Sequence, residues 1–407
     1  RLFIAFRVLF NSRFYYPVFT ILFLDFGLSI AQFSILNAAW ALTIVLAEVP
    51  LGALADLIGR KTVLSLAALS MVVEISLICF IPVGNPDLVF AAFLVNRILS
   101  GTAEAAASGA DEAVAYDSLD RAGLAREWDR VLSLLMRCQS AGFILATIIG
   151  AAVYDPDMVN ALTSVFWDGA ALSQVQTMRL PLFLTLGMAL GACVCVSRIS
   201  DPGKQHRGKK IGPVQALETT LAAGAWILKT PFALSVILYG LLFDSILRVV
   251  ITLSSQYYRV IQIPESLFGF IGALVAVMGL VIPTFARKLG RTRSPVFCFR
   301  FMAVLAVIGL AGMGRFWPAW GLLPAMLAWS AMTFNSFFLS FHLNRIAPPD
   351  KRATILSFKG LAFNMAYGLT GTGYALLLKA RALEAGPVAA GRNSVFMETF
   401  DAFVLLF

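Results

Sequence analysis

Long blocks of apolar residues, separated by short segments rich in turn-forming and charged residues, run along the whole chain. Each block can cross the hydrocarbon core of a bilayer, which is about 30 Å thick and takes roughly 20 helical residues to span. Apolar and polar residues do not alternate within the blocks as they would in barrel strands, so the pattern predicts helices. It predicts twelve spans, near residues 3–27, 33–57, 62–82, 88–117, 129–154, 178–198, 231–258, 267–287, 295–314, 318–345, 353–379 and 394–407.

The composition agrees with a membrane protein, because 59% of the 407 residues are hydrophobic and only 14% are charged. A soluble domain of this size could not bury so much apolar surface. The net charge of +9 could suggest a nucleic-acid partner, but Lys and Arg lie in short segments between the apolar blocks rather than on one basic face. The five cysteines lack metal-ligand spacing, so we predict neither a metal nor a cofactor.

Positive charge in the loops predicts the orientation in the membrane. Lys and Arg concentrate in the segments that follow even-numbered spans, and such segments are typically cytoplasmic. Examples are Arg60, Lys61, Arg126, Arg287 and Arg345. We therefore expect a multi-pass protein of the inner (plasma) membrane with both termini in the cytoplasm.

The spans divide into two groups of six, so we predict residues 1–198 and 231–407 to form two helical bundles. The basic connection between them, 199–230, ends in a segment from Val214 to Lys229 that predicts an amphipathic helix along the membrane surface. The chain begins at Arg1 without a methionine and stops at Phe407 inside an apolar run, so we expect both ends to be trimmed.

A short internal repeat relates the two halves. Gly52 to Arg60 closes the second span, and Pro283 to Arg291 closes the eighth in the same relative place. The separation is 231 residues, both from 52 to 283 and from 59 to 290. Repeats of this kind are typical of transporters that hold their substrate between two like halves.

The segment Gly52 to Lys61, GALADLIGRK, resembles the signature between spans two and three of the major facilitator superfamily, G-x-x-x-D-x-x-G-R-[KR]. Gly52 allows close helix approach, Gly59 permits a tight turn, and Asp56 and Arg60 can bond to each other or to a helix end at a cytoplasmic gate. In that family the segment pairs with an acidic residue at the cytoplasmic end of span four, and Asp117 occupies that position.

Span four carries a second resemblance, since the segment NRILSG, which runs from Asn96 to Gly101, is similar to the family's R-x-x-x-G element. Arg97 stands at the arginine that the family links to proton coupling in many antiporters. Two departures matter: span five has Gly142 and Gly150 but no Gly-Pro pair, and the second signature has Arg287 in place of the aspartate. The first departure makes a drug exporter less expected.

The resemblance implies an all-α membrane protein of twelve helices, arranged as two pseudo-symmetric six-helix bundles around a central cavity. It also implies secondary transport of a small solute by rocking of the bundles, coupled to protons or another ion, by a monomer in contact with membrane lipid.

Charged residues inside span four are the first candidates for a functional site, because an ion in a span costs at least a few kcal/mol and needs a partner or an aqueous cavity. Arg97, Gly101, Glu104, Ser108 and Asp111 recur at helical spacing, which predicts a stripe about 20 Å long on one face. Arg97 and Asp111 could equally form structural ion pairs. For Glu104 we favour a functional role, binding and releasing a proton as the cavity changes sides.

Span seven contains Asp244 and Arg248, one turn apart and able to form a local pair. The 231-residue shift makes Asp244 the counterpart of Arg13 in span one, so the two could face one cavity and form a closure contact. Alternatively, Arg13 could snorkel to the cytoplasmic surface.

Arg137 in span five and Lys359 in span eleven could bind an anionic group of the substrate or neutralise nearby acids. Neutralising nearby acids is the more usual role for either residue alone. Asn335 and Asn364 could donate hydrogen bonds into the cavity, although polar contacts between helices are their ordinary role.

The resemblance implies a proton-coupled secondary transporter, and the mixed charges suggest that its solute is small and polar, zwitterionic or anionic. One alternative is a proton-coupled exporter of drugs or amphipathic lipids that depends on Glu104; another is an importer of an organic anion or metal chelate that depends on Arg137 or Lys359. A membrane enzyme or receptor would need a catalytic cluster or a large soluble domain, and the sequence predicts neither, nor an ATP-binding P-loop.

Overall fold

The computed structural model describes residues 1–108, 110–165, 171–199, 213–346, 352–389 and 392–405, and these form helices joined by short connections. The described residues of the first half form ten α-helices: α1 (Leu2–Asn11), α2 (Phe19–Asp25), α3 (Ile30–Ile58), α4 (Arg60–Phe80), α5 (Pro86–Ala107), α6 (Ala110–Arg121), α7 (Trp128–Tyr154), α8 (Pro156–Thr163), α9 (Gln174–Thr177) and α10 (Leu180–Arg198).

The connection and the second half supply the rest: α11 (Pro213–Lys229), α12 (Pro231–Thr252), α13 (Ser254–Val260), α14 (Phe268–Thr292), α15 (Pro295–Met313), α16 (Leu322–Ile346), α17 (Arg352–Ala389), α18 (Arg392–Phe400) and α19 (Ala402–Leu405). The predicted helix from Val214 to Lys229 is confirmed as α11. Residues 200–212 of the connection lie outside the described residues.

Nine of the described helical segments, α3 to α5, α7, α10, α12 and α14 to α16 in order, are long and apolar enough to cross a membrane. Large apolar side chains cover their outer faces, as at Leu46, Leu280 and Leu323, which are 65%, 66% and 62% exposed. Such faces suit a lipid environment, in which backbone polar groups are satisfied within each helix.

Four predicted spans are interrupted, the twelfth at Asp401 between α18 and α19. Span one is two helices, because the chain leaves α1 at Ser12 and re-forms a helix after Pro17, whose ring fixes its own backbone angle. Span four breaks at Ser108, between α5 and α6, and span seven breaks at Leu253, between α12 and α13. The prediction of continuous helices over 3–27, 88–117, 231–258 and 394–407 is therefore wrong at these points.

The first spans of the two halves end in the same way, in the seven-residue helices α2 and α13. Thr20 of α2 donates its backbone N–H to the Ser255 hydroxyl of α13 at 2.9 Å, and the two residues are 235 positions apart. The same separation relates Phe19 to Ser254 and Asp25 to Val260. Equivalent positions therefore meet where the pseudo-two-fold axis passes between the halves.

This register corrects the predicted one. The 231-residue shift made Asp244 the counterpart of Arg13, whereas a shift of 235 makes Arg248 that counterpart. The two registers differ by four residues, about one helical turn.

Candidate functional site

A central cavity of about 510 Å³ lies between the two halves. Its lining comes from both, and the described residues around it include four charged side chains, Arg13, Arg97, Glu104 and Arg248. Aromatic rings supply much of the remaining wall: Tyr15, Tyr16, Phe19, Trp40, Phe143, Tyr258, Phe268, Trp329 and Tyr367. A mainly apolar wall with a few polar groups is the usual composition of a small-molecule site.

Arg13 lies in the interruption between α1 and α2, where it is only 4% exposed. Its Nη1 contacts the Glu74 carboxylate of α4 at 2.7 Å and donates to the Tyr15 hydroxyl at 2.9 Å. Glu74 is wholly buried, so a carboxylate within the same half neutralises this arginine.

Arg248 of α12 forms the local ion pair predicted with Asp244, at 2.5 Å. Its Nη1 also donates to the Asn364 side-chain oxygen of α17 at 3.0 Å, and the guanidinium lies over the Tyr367 ring. Through these contacts with Asn364 and Tyr367, Arg248 links α12 to α17.

Arg13 and Asp244 do not contact each other in this conformation, because each pairs within its own half. The predicted closure contact between them is therefore wrong for this state, and so is snorkelling of Arg13, whose side chain is buried. Only the tertiary fold could reveal the actual partner, because Glu74 is 61 residues from Arg13.

Arg97 of α5 has a different environment. Its Nε and Nη2 both donate to the neighbouring Asn96 oxygen, at 3.0 and 2.9 Å, and its guanidinium lies over the Phe19 and Phe23 rings. Within the described residues no carboxylate pairs with it, and its Nη1 is neither hydrogen-bonded nor sealed from solvent.

Glu104 lies two turns farther along α5, on the same face as Arg97, where it lines the cavity and is exposed. Among the described side chains no cation comes within ion-pair distance of its carboxylate. The cavity therefore contains one arginine and one carboxylate that the described part of the protein does not neutralise.

Asp111 does not belong to this face, because the break at Ser108 places it on α6. It is 2% exposed and pairs with Arg7 of α1 at 2.6 Å. The predicted stripe from Arg97 to Asp111 is therefore wrong beyond Ser108, and Asp111 ties α6 to α1 outside the cavity lining.

Five other predicted residues also lie outside the described lining of the cavity, and two of them, Asp244 and Asn364, contact Arg248 as described above. Arg137 is exposed on α7, and Lys359 is half-buried with its ammonium over the Phe363 ring. Asn335 is fully buried and donates to the Gly240 carbonyl at 3.1 Å, so it makes a polar contact between α16 and α12.

The segment with the signature between spans two and three joins α3 to α4 through Gly59, whose φ of +106° suits glycine and confirms the predicted tight turn. The close helix approach predicted at Gly52 is wrong here, since a methyl group at this position would meet no described atom within 4 Å. Arg60 begins α4. The side chains of Asp56 and Asp117 lie outside the described part of the structure.

The end of the cavity beyond Phe19 and Phe23 is closed by polar contacts between the halves that the sequence did not reveal. Arg259 of α13 donates to both carboxylate oxygens of Asp25 at 2.8 Å and contacts Glu265 at 2.6 Å. The Tyr154 hydroxyl donates to Asp25 at 2.5 Å, and Asp155 accepts the backbone N–H of Ser266 at 3.1 Å. We call Asp25, Tyr154, Arg259 and Glu265 the latch.

Arg259 remains protonated and positively charged in the latch. Burial alone would lower the pKa of Arg259, but hydrogen bonds and charge from Asp25, with the charge of Glu265, hold that pKa above its ordinary value. Since Asp25 and Arg259 lie at nearly equivalent ends of α2 and α13, opposite charges at these positions are the signal that could have predicted the latch.

Helix backbones also meet closely at this end. A methyl group on Gly269 of α14 would overlap the carbonyl oxygen of Thr147 in α7, across the boundary between the halves. Every hydrogen bond between the halves among the described side chains lies near this end. The cavity is therefore closed at the latch, while Glu104 remains exposed farther from it.

Comparison with solved structures finds the same fold over the whole chain. The nucleoside transporter NupG superimposes with a TM-score of 0.73 at 14% identity, covering 100% of this chain and 97% of that one. A bacterial homologue of the human lysosomal transporter Spinster, in an inward-facing and unoccupied conformation, gives 0.74 at 16% identity, covering 100% and 93%. A D-xylose–proton symporter gives 0.67 at 13% identity, covering 100% and 94%.

Identities this low establish the fold and do not transfer a substrate. No curated protein sequence matches the chain. The profile of the Major Facilitator Superfamily, however, matches residues 2–371, most of the chain and all of its described cavity lining. The protein is therefore a multi-pass membrane transporter of two pseudo-symmetric six-helix bundles and belongs to the Major Facilitator Superfamily.

Proposed function

We propose that the protein is a proton-coupled secondary transporter that moves a small polar, zwitterionic or anionic solute across the inner membrane by alternating access. The observation that carries the proposal is the pair of unneutralised charges, Arg97 and Glu104, in a cavity closed at one end between two like halves. A fixed ion in the membrane is costly, so charges left without partners among the described residues favour a site whose partners are the transported species.

Glu104 is the candidate coupling residue. It is exposed to the cavity and has no ion-pair partner among the described residues, so its carboxylate is accessible to solvent protons and to solute. Arg13 and Arg248 are already neutralised by Glu74 and Asp244, which leaves Glu104 as the one lining carboxylate in the described part of the cavity.

Orientation follows from the loop charges. With the segments after even-numbered spans in the cytoplasm, both termini are cytoplasmic and the latch lies on the outer side. The cavity of this conformation then opens toward the cytoplasm. In this proposal, residues 1–198 and 231–407 rock as two bundles joined by 199–230, within a monomer surrounded by lipid.

The proposal is tested by flux into liposomes with and without an imposed pH gradient, over a panel of polar, zwitterionic and anionic solutes. We expect a gradient to drive accumulation in the wild type. Glu104→Gln should lose that accumulation but retain exchange of solute between the two sides when the solute is saturating, because a neutral side chain cannot take up and release the coupling proton.

Glu112→Gln provides the matched control, since Glu112 is an exposed carboxylate on α6 outside the described cavity lining. It should behave as the wild type does. Accumulation that ignores the pH gradient would overturn proton coupling, and an absence of flux for every solute would overturn transport of this class.

An exporter of drugs or amphipathic lipids is the second candidate. The nine aromatic rings in the cavity wall favour it, together with the single lining carboxylate among the described residues. The three lining arginines oppose a lipophilic cation. In the same liposomes an exporter would move amphipathic dyes or lipids and leave polar solutes behind. An importer that depends on Arg137 or Lys359 has less support, because neither lines the described cavity.

A further inference from the structure

We infer that the cavity binds an extended zwitterion with an aromatic middle, with its anionic group on Arg97 and its cationic group on Glu104. This inference rests on the proposed function and names the substrate class of the same site. It depends on three features of the described cavity: the accessible donor of Arg97, the separation of Arg97 and Glu104 along α5, and the aromatic side chains of the cavity wall.

The anion site is Arg97 because it is the described cavity arginine without a carboxylate partner. Glu74 and Asp244 already occupy Arg13 and Arg248, at 2.7 and 2.5 Å. Arg97 directs Nε and Nη2 to Asn96, which leaves Nη1 available to the cavity. A carboxylate or phosphate there would accept a charge-assisted hydrogen bond.

The guanidinium of Arg97 is also held in position. The rings of Phe19 and Phe23 lie 5.3 and 5.6 Å from its central carbon, and Asn96 in turn donates to the Glu74 backbone carbonyl at 2.9 Å. A side chain fixed by packing and hydrogen bonds loses little entropy when an anion binds. Arg97 is therefore a preorganised receptor at the deep end of the cavity, beside the latch.

The cation site is Glu104, seven residues farther along the uninterrupted helix α5. Seven residues make almost two turns, so both side chains project from one face about 10 Å apart along the helix. A ligand that satisfies both charges must carry its own charges at a similar separation. A chain of three amino acids reaches about this far when extended.

The aromatic side chains of the cavity wall are the third feature, and they favour an aromatic middle in the ligand. Tyr16, Trp40, Phe143, Phe268 and Trp329 line the same cavity, and Trp329 is fixed by donating its ring N–H to the Tyr258 hydroxyl at 3.2 Å. Flat rings favour a flat or apolar group between the two charged ends. A compact zwitterion such as a free amino acid would reach only one of the two charges.

The probes are the tripeptide Ala-Phe-Ala and two blocked forms, one N-acetylated and one C-amidated, each titrated into detergent-solubilised protein by calorimetry. We expect the free tripeptide to bind at least tenfold more tightly than either blocked form. Arg97→Gln should reduce the difference between the free and amidated forms to less than twofold, while the penalty for acetylation persists. Glu104→Gln should do the opposite.

Two variants keep the test decisive. Arg137→Gln removes an exposed arginine outside the described cavity lining and should change no ratio. If Arg97→Gln does not fold, Arg97→Lys retains the charge and should retain a preference for the free carboxylate over the amide.

The two proposals fail in different ways. Equal binding of the three forms, or binding of none of them by a protein that transports another solute, would overturn the zwitterion inference and leave transport standing. Selective binding without flux of any solute would support the site and overturn the transport function.

Discussion

The three arginines of the described cavity differ in what neutralises them, and this difference separates structural from functional charge. Arg13 and Arg248 each pair with a buried carboxylate of their own half. Arg97 instead donates hydrogen bonds to an amide oxygen and lies over two aromatic rings. A shift of 235 residues relates Arg13 to Arg248, so the two paired arginines are also the two symmetry-related ones. The same shift relates Arg97 to no other arginine, and its Nη1 remains available to a ligand.

The ion pair between Arg13 and Glu74 predicts a large effect on stability. In Glu74→Gln the buried guanidinium of Arg13 loses its counter-charge, and the free energy of unfolding should fall by about 3–5 kcal/mol, measured by denaturant titration in detergent. Replacing both residues by Met should recover much of that loss, because no uncompensated charge then remains.

Glu48→Gln is the comparison variant, since Glu48 is half-buried on α3 and forms no ion pair among the described residues. It should cost far less. A loss in Glu74→Gln no larger than that in Glu48→Gln would contradict a stabilising role for the buried pair.

At the scale of the elements, the interrupted helices place polar groups where the halves meet. The short helices α2 and α13 carry Asp25 and Arg259 to the boundary, and α7 meets α14 there through Thr147 and Gly269. The latch supplies charge pairing, and the glycine supplies the clearance that lets two backbones approach. Both features belong to the closed end, and Asp25, Arg259 and Gly269 lie outside the described cavity lining, so variants at these residues test closure without replacing a lining side chain.

Gly269→Ala should keep the latch end from closing. The added methyl group would overlap the Thr147 carbonyl oxygen, and because that atom belongs to a helix backbone only separation of α7 from α14 relieves the overlap. Spin labels on the exposed residues Leu162 and Trp320, in a background without native cysteines, should report a longer distance than in the wild type.

Gly279→Ala is the matched change in the same helix, because a methyl group there meets no described atom within 4 Å. It tests the gain in helix propensity, about 1 kcal/mol for a glycine replaced by alanine, without the clash. The distance distribution of Gly279→Ala should equal that of the wild type, and an unchanged distribution in Gly269→Ala would show that the clearance has no role in closure.

For the whole molecule, the sequence predicted the helices better than their contacts. Apolar length placed the bounds of most spans within a few residues, and spacing along one helix predicted the pair of Asp244 and Arg248. The break at Ser108 had a local signal that the prediction overlooked, since Gly109 follows Ser108 and such a pair is typical of turns. Partners such as Arg13 and Glu74 depend on how separate helices pack, which periodicity in one helix cannot predict.

The repeat shows the same limit. The loop signature gave a shift of 231 residues, but the helices beside it follow the shift of 235, since α4 begins at Arg60 and α15 at Pro295. Gly59 ends its helix, whereas Gly290 lies inside α14, so the matched glycines do not occupy equivalent places. The contact between Thr20 and Ser255 was needed to find the register of the fold.

That contact on the pseudo-two-fold axis gives the final prediction, which concerns movement of the whole molecule. Thr20→Cys with Ser255→Cys, in a background without native cysteines, places two thiols where the two halves already touch. Oxidation should join the halves at the latch end and abolish flux into liposomes, because a cavity that cannot open there cannot alternate. Reduction should restore flux, and each single cysteine variant should be insensitive to oxidant. Full flux after complete cross-linking would contradict the rocking of two bundles, because the solute would then cross without any separation of the halves at the latch end.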